Sequence, residues 1–156
     1  TLHTLGKALG GSGAVLTLPQ VLRDFIVNRG RPFIFATAPS PLMAVAATEA
    51  LAILKDEPER RDRLQDLIDL FAAELARRLP HLPPSGSQIV PLIVGEDAAT
   101  MRLAAAVQAE GFDVRGIRPP TVPAGTARLR VSLTLNASAE DVVRLAATLE
   151  RLWPDL

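Results

Sequence analysis

The sequence predicts an α/β fold, and three observations carry that prediction. Strand-like and helix-like stretches alternate through residues 89 to 152, the order that builds a small sheet with helices on one face. A long helical stretch from Pro41 to Leu79 precedes them, and the run Pro80, Pro83, Pro84, Ser85 and Gly86 separates the two. A glycine-rich loop near the start, Thr4-Leu5-Gly6-Lys7-Ala8-Leu9-Gly10-Gly11-Ser12-Gly13, opens the chain ahead of both. Residues 1–50, 51–84 and 85–156 are therefore expected to form the end of one domain, connecting helices with a linker, and a second small α/β domain.

Each element has a local reason. Ala14 to Leu18 is a short apolar run that reads as a buried strand closed by Pro19. Pro19 opens a helix in which Val21, Leu22, Phe25 and Ile26 fall at helical spacing and Asn28 with Gly30 supplies the stop. Phe33 to Ala36 reads as strand or extended chain between Pro32 and Pro39. The helical stretch from Pro41 should break just before Pro58, because proline removes a backbone donor. The charges at Glu59, Arg60, Arg61, Asp62 and Arg63 read as a solvated helical face. In the C-terminal part the predicted order is strand 89–94, helix 98–110, strand 112–116, a proline-rich loop 118–125, strand 127–134 and helix 138–152. Ser138, with Asp141 three residues later, is placed to cap the last helix.

Composition narrows the function classes. Among 156 residues, 17 are basic and 17 acidic, so no net field points to nucleic acid or an anionic membrane. Aromatic residues make up only 4%, which gives few surfaces for base stacking. There is no cysteine, hence no disulfide, thiolate metal site or cysteine nucleophile, and a reducing cytoplasm is the default expectation. No apolar run approaches the ~20 residues that span a bilayer. No metal site is expected. The chain opens directly on its most functional-looking loop, so a preceding N-terminal portion is expected.

Two named phosphate loops fail on the glycine run. A Walker loop requires Ser or Thr after its lysine, whereas Ala8 follows Lys7, and position 1 is Thr1 rather than glycine. A dinucleotide fingerprint would continue Gly11 and Gly13 with a glycine at position 16, where Leu16 stands. Two readings remain: a lysine that attacks a carbonyl as an amine, or a solvated lysine on a glycine turn. His3, four residues before Lys7, either lines the same site or packs beside it. His81, in the proline-rich stretch, reads as an exposed residue without a role.

The second constellation is Arg118-Pro119-Pro120-Thr121-Val122-Pro123-Ala124-Gly125-Thr126, running into Ala127-Arg128-Leu129-Arg130-Val131-Ser132-Leu133. Prolines stiffen the loop that presents Arg118 and Thr121. On the strand, a period of two sets Arg128 and Arg130 opposite Leu129, Val131 and Leu133. Arg130 suits capture of a carboxylate by its planar fork, and the alternative is an exposed edge strand whose charges oppose aggregation.

Both motifs resemble the α-oxoamine synthases, fold-type-I pyridoxal-phosphate enzymes. The lysine loop is common to that family, and the Arg-Pro-Pro-Thr form of the second motif is similar to its biotin-pathway branch, the 8-amino-7-oxononanoate synthases. The likeness extends over nearly the whole chain, including Pro91-Leu92-Ile93-Val94-Gly95. It implies the C-terminal part of a fold-type-I transferase: the end of the large cofactor domain plus the small α/β domain. By the same resemblance Lys7 is the catalytic residue, forming a Schiff base with pyridoxal 5'-phosphate and later moving the α-proton. Thr4 contacts the cofactor phosphate, and Thr37 reaches it from the other subunit of a homodimer. Arg130 holds the amino-acid carboxylate, Thr121 the acyl side, and Arg118 the distal carboxylate of a pimeloyl chain. The reaction implied is decarboxylative condensation of L-alanine with pimeloyl-CoA or a pimeloyl-acyl carrier protein. The family's ring-stacking histidine and its aspartate on the pyridine nitrogen have no counterpart in this chain, so the isolated chain is expected to be inactive. Other readings are a related synthase using glycine and another acyl-CoA, and a non-catalytic fragment or assembly subunit.

Overall fold

A computed structural model describes residues 1–83 and 85–153. Pro84 of the proline-rich stretch and the final residues of the expected C-terminal domain, 154–156, lie outside the described residues. The chain divides into two compact units, Thr1–Pro58 and Glu59–Leu156. The second unit thus begins ahead of position 85, because the helix after Pro58 packs with it.

The first unit starts with a hairpin. Strand β1 (Leu2–Thr4) pairs antiparallel with β2 (Ala14–Leu16), with Thr4 opposite Ala14. The expected strand is therefore present but shorter, and it is exposed rather than buried: Val15 and Leu16 stay 42% and 49% exposed. Helix α1 (Gln20–Arg29) begins after Pro19 and ends at Gly30, as its punctuation predicts. Residues 33–36 depart from expectation. Phe33 and Ile34 belong to a short helix, α2 (Arg31–Ile34), because the Gly30 carbonyl accepts from the N–H groups of both. A four-residue apolar run has no period long enough to separate strand from helix. Helix α3 (Pro41–Asp56) follows, capped by the Ser40 hydroxyl, which accepts from Leu42 N at 3.3 Å. Ala47 is the buried residue of α3, and α1 has none.

The second unit carries the core. The break at Pro58 leads into α4 (Glu59–Arg78), whose first-turn charges are exposed and whose Leu67, Ile68, Phe71 and Leu75 are buried. Beyond it come β3 (Ile89–Gly95), α5 (Asp97–Ala109), β4 (Arg115–Ile117), β5 (Ala127–Ser132) and α6 (Ala139–Leu152). The sheet order is β3-β5-β4 with both pairings antiparallel, so β3 and β4 run parallel on either side of β5 and α5 is their crossover. The edge-strand reading of Arg128 and Arg130 is therefore corrected: β5 is the central strand. Its alternation holds, with Ala127, Leu129, Val131 and Leu133 buried.

One face of the sheet packs on the helices. Leu92, Leu129, Val107 and Leu149 are fully excluded from solvent there. Arg78 joins α4 to α6 by donating to Glu74 at 2.8 Å and Glu150 at 2.6 Å. The expected strand 112–116 forms only from Arg115, since Phe112 turns back on the helix end, its N–H donating to Val107 O. His81 is exposed, its ring centroid 6.1 Å from that of Trp153. Gly116 of β4 packs against α5: a Cβ there would stand 2.9 Å from Met101 Sδ and 3.4 Å from Ala104 Cβ.

Two consequences are measurable. Gly116→Val should destabilise the second unit by about 1 kcal/mol in denaturant unfolding, because the Met101 side chain must turn away and the added methyls crowd Ala104, whereas an exposed glycine without such neighbours would not. The last helix is closed by a capping box: Ser138 Oγ accepts from Asp141 N at 3.1 Å, and Asp141 accepts from Ser138 N at 3.1 Å. Hydrogen bonds from the Ser138 backbone, then its hydroxyl, hold the Asp141 carboxyl below its usual range, and the Ala98 and Ala99 backbone N–H groups do the same for Glu96 at the start of α5. A depressed carboxyl pKa stabilises the fold above the unfolded value and loses that contribution as pH falls through the folded one. Loss of the hydroxyl cap in Ser138→Ala should cost about 1 kcal/mol at neutral pH; separately, the deficit should narrow as pH drops below about 4, where Asp141 takes up its proton.

Candidate active site

The Lys7 loop is built around Leu5. Leu5 N donates to Gly13 O at 3.0 Å and Gly11 N donates to Leu5 O at 2.8 Å, which closes the loop across the base of the hairpin. The Leu5 side chain is buried at 7% exposure, and a Cβ on Gly11 would stand 3.3 Å from Leu5 Cβ. A second turn forms at the tip, where Gly10 N donates to Lys7 O at 3.0 Å. Gly10 and Gly13 have φ of 62° and 90°, values that a side chain would strain. The fold thus spends its glycines on closing the loop and leaves Lys7 exposed at the end of it.

Thr4, the last residue of β1, sits at the base of the same hairpin, and Thr37 lies in the segment between α2 and α3 of the same unit. Among the described residues the side chains of Lys7, Thr4 and Thr37 make no hydrogen bond, and Lys7 no ion pair. An amino group without a partner suits an aldehyde and hydroxyls without partners suit a phosphate, so these residue types are compatible with pyridoxal phosphate. His3 is on β1, with its Nε2 3.4 Å from Thr17 Oγ1 across the hairpin.

In the second unit the face of the sheet away from the helices is open. Arg128 and Arg130 project there from β5, and Ile89 and Ile93 from β3, each isoleucine 48% exposed. Arg128 is half-buried, with Nε donating to Thr126 O at 2.9 Å. Arg130 is exposed and its guanidinium makes no hydrogen bond or ion pair among the described residues. Arg118 leaves the end of β4 and accepts on its carbonyl from Thr121 N at 3.1 Å, so these two residues share one turn. Their side chains are likewise unengaged and exposed.

One residue of this face escaped the sequence reading. Arg115 of β4 stands directly opposite Arg130, a like-charged cross-strand pair. It is ion-paired to Asp113, with Nε 2.8 Å from Oδ1 and a terminal nitrogen 3.2 Å from Oδ2. The alternation of exposed Asp113, buried Val114 and exposed Arg115 was available in the sequence, but the register that sets Arg115 against Arg130 was not.

Comparison with known proteins adds a family to this geometry. The aminotransferase class I and II family matches residues 1–149. A relative from Cupriavidus metallidurans, 8-amino-7-oxononanoate synthase, is 44% identical over 161 residues and is matched by 99% of this chain. Another of that name from Methylobacterium radiotolerans is 45% identical over 151 residues, covering 97% of the chain. The chain spans about two fifths of the length of these relatives, 40% and 39% respectively. The crystal structure of 8-amino-7-oxononanoate synthase from Francisella tularensis superposes with a TM-score of 0.82 at 25% identity, over 96% of this chain and 44% of that one. Among the described residues no helix is long and apolar enough to cross a membrane. The chain belongs to the class I and II aminotransferase family of fold-type-I pyridoxal-phosphate transferases, and the relatives it matches at 44% and 45% identity are named 8-amino-7-oxononanoate synthase.

Proposed function

We propose that this chain is the C-terminal portion of a pyridoxal-phosphate acyltransferase that joins L-alanine to a pimeloyl thioester, releasing carbon dioxide and the thiol carrier, in biotin biosynthesis. The observation that carries the reading is Lys7 held unpaired at the tip of a loop closed around Leu5. The names of the relatives and the Arg118 to Arg130 segment support the choice of substrates.

In this reading Lys7 would hold the cofactor at its aldehyde end, and the hydroxyls of Thr4 and Thr37 would hold its phosphate. The cofactor supplies, when bound, the electron sink for a carbanion at the amino-acid α-carbon. Lys7 then takes the α-proton from L-alanine as a base. Arg130 grips the substrate carboxylate with its planar fork and so sets which α-bond is presented for cleavage. Thr121 contacts the acyl donor, and Arg118, fixed by the same turn, receives the distal carboxylate of the pimeloyl chain.

The exposed apolar side chains of the first unit, among them Phe25 at 63%, Phe33 at 61%, Phe35 at 76% and Leu42 at 73%, call for a covering partner. A homodimer with Thr37 contributed across its interface, together with an N-terminal portion of the same enzyme, answers that need. The isolated chain would then be inactive, since the groups that stack on and protonate the cofactor ring are not in it.

Borohydride reduction after incubation with pyridoxal phosphate tests the reading. A reduced adduct mapped to Lys7, and its loss in Lys7→Ala, is the expected result. A folded protein that yields no adduct, or one spread over Lys7 and Lys55 alike, would favour the non-catalytic assembly role.

A further inference from the structure

We propose that the outward row of β3, Ile89, Pro91 and Ile93, takes the aliphatic chain of the acyl group beside the arginines that take carboxylate, and that Ile93 sets the preference for a long chain. The inference deepens the proposed function and rests on its reading of Arg130 as a carboxylate-binding residue.

Alternation and register lead to it. Val90, Leu92 and Val94 of β3 are buried, so Ile89, Pro91 and Ile93 face the open side of the sheet, where both isoleucines remain 48% exposed. Pairing then fixes their neighbours: Ile89 lies opposite Ser132, Pro91 opposite Arg130 and Ile93 opposite Arg128. Leu133 N donates to Gln88 O at 2.8 Å, and bonded and non-bonded pairs alternate along an antiparallel ladder, so Pro91 with Arg130 and Ile93 with Arg128 are non-bonded pairs. Such pairs bring side chains closest, with Cα atoms about 4.5 Å apart. Proline suits that position, because its nitrogen points away from β5 and no ladder bond is lost. On the other flank, Arg115 and Ile117 of β4 stand opposite Arg130 and Arg128. The face therefore carries one row of Pro91, Arg130 and Arg115 and a second of Ile93, Arg128 and Ile117, a two-residue step of about 7 Å apart.

The two rows differ in kind. The first offers a guanidinium without a partner among the described residues, that of Arg130, since Arg115 is tied to Asp113. In the second, Arg128 is half-buried with its Nε turned to Thr126 O, which leaves its aliphatic stem beside Ile93 and Ile117. A carboxylate on Arg130 thus has an apolar strip within one step of it, and that pairing complements an unbranched aliphatic acid: methylenes laid on the strip leave water together with the isoleucines. A protein partner over the same face would strip water from the unpaired Arg130 guanidinium, at high cost unless it brought its own carboxylate. An aliphatic acid brings the carboxylate and the apolar surface in one molecule. The acyl group of the proposed reaction has such a chain, and Arg118, assigned above to its distal carboxylate, follows directly on Ile117.

The test is NMR of this chain at low ionic strength near pH 7, with sodium acetate and sodium hexanoate as probes of equal charge and different chain length. Two signals are followed: the Arg130 Nε–H, identified by its disappearance in Arg130→Lys, and the Ile93 δ1 methyl, identified by its disappearance in Ile93→Val. Both acids should shift Arg130, hexanoate alone should shift the Ile93 methyl, and hexanoate should bind about three- to tenfold more tightly than acetate. Ile93→Thr keeps the β-branch that suits a strand, and an otherwise unchanged backbone spectrum shows that the fold is kept. In that variant the affinity for hexanoate should come within about twofold of that for acetate. Equal affinities for the two acids in the unmodified chain, or a preference for hexanoate that survives in Ile93→Thr, would overturn the chain-binding role while leaving Arg130 as a carboxylate site. An Ile93 methyl that shifts with protein concentration and not with hexanoate would give the face to a second copy and overturn that role as well. An Arg130 signal insensitive to both acids would instead overturn the reading of Arg130 itself, and this inference with it.

Discussion

The second unit depends on a single constraint: β5 lies in the middle of its sheet, with one side of the strand given to the core and the other carrying Arg128, Arg130 and Ser132. Ala127, Leu129 and Val131 are sealed against the helices, and Arg128 and Arg130 occupy the intervening positions. A central strand has both backbone edges hydrogen-bonded, so it cannot slip by one residue without driving arginines into the core. The same alternation that anchors the strand therefore fixes the direction of Arg130. Burial supplies the rigidity, and Arg130 stands on the rigid element.

The first unit solves a different problem, how to present a lysine on a loop without leaving it loose. It does so with a two-strand base, one buried leucine and glycines at the two positive-φ positions, 10 and 13. Few of its helical side chains are buried, so its geometry is local, resting on hydrogen bonds along the backbone more than on packing. That contrast with the second unit explains why the same 48% apolar composition reads as core in one half and as uncovered surface in the other.

Much of this was legible in the sequence, and the reasons are particular. The break before Pro58, the capping box at Ser138 and the alternation of β5 are each set by residues within a few positions of one another, so their chemistry is visible without the fold. What escaped reading depends on partners far along the chain. The helical turn at Phe33 and Ile34 arises from where the Gly30 carbonyl points, and an apolar run of four residues carries no period to reveal it. The central place of β5 requires knowing that β3 and β4 flank it, which made an edge strand an equally good reading of Arg128 and Arg130. Arg115 was missed for the same reason, since only the register brings it beside Arg130. Lys7 and Arg130 stood out in the sequence because loop chemistry and strand period are local signals; their fixed surroundings are not.

The central claim is that the Lys7 loop and the Arg118 to Arg130 segment serve condensation of alanine with a pimeloyl thioester. Its most direct measurement is turnover by the enzyme that contains this chain, supplied in parallel with L-alanine plus pimeloyl-CoA and with glycine plus succinyl- or acetyl-CoA, reading carbon dioxide and free thiol released together. Product from the first pair, and little from the second, is the predicted result. Turnover of glycine with the shorter acyl donors, and none of alanine with pimeloyl-CoA, would contradict the assignment of the substrates.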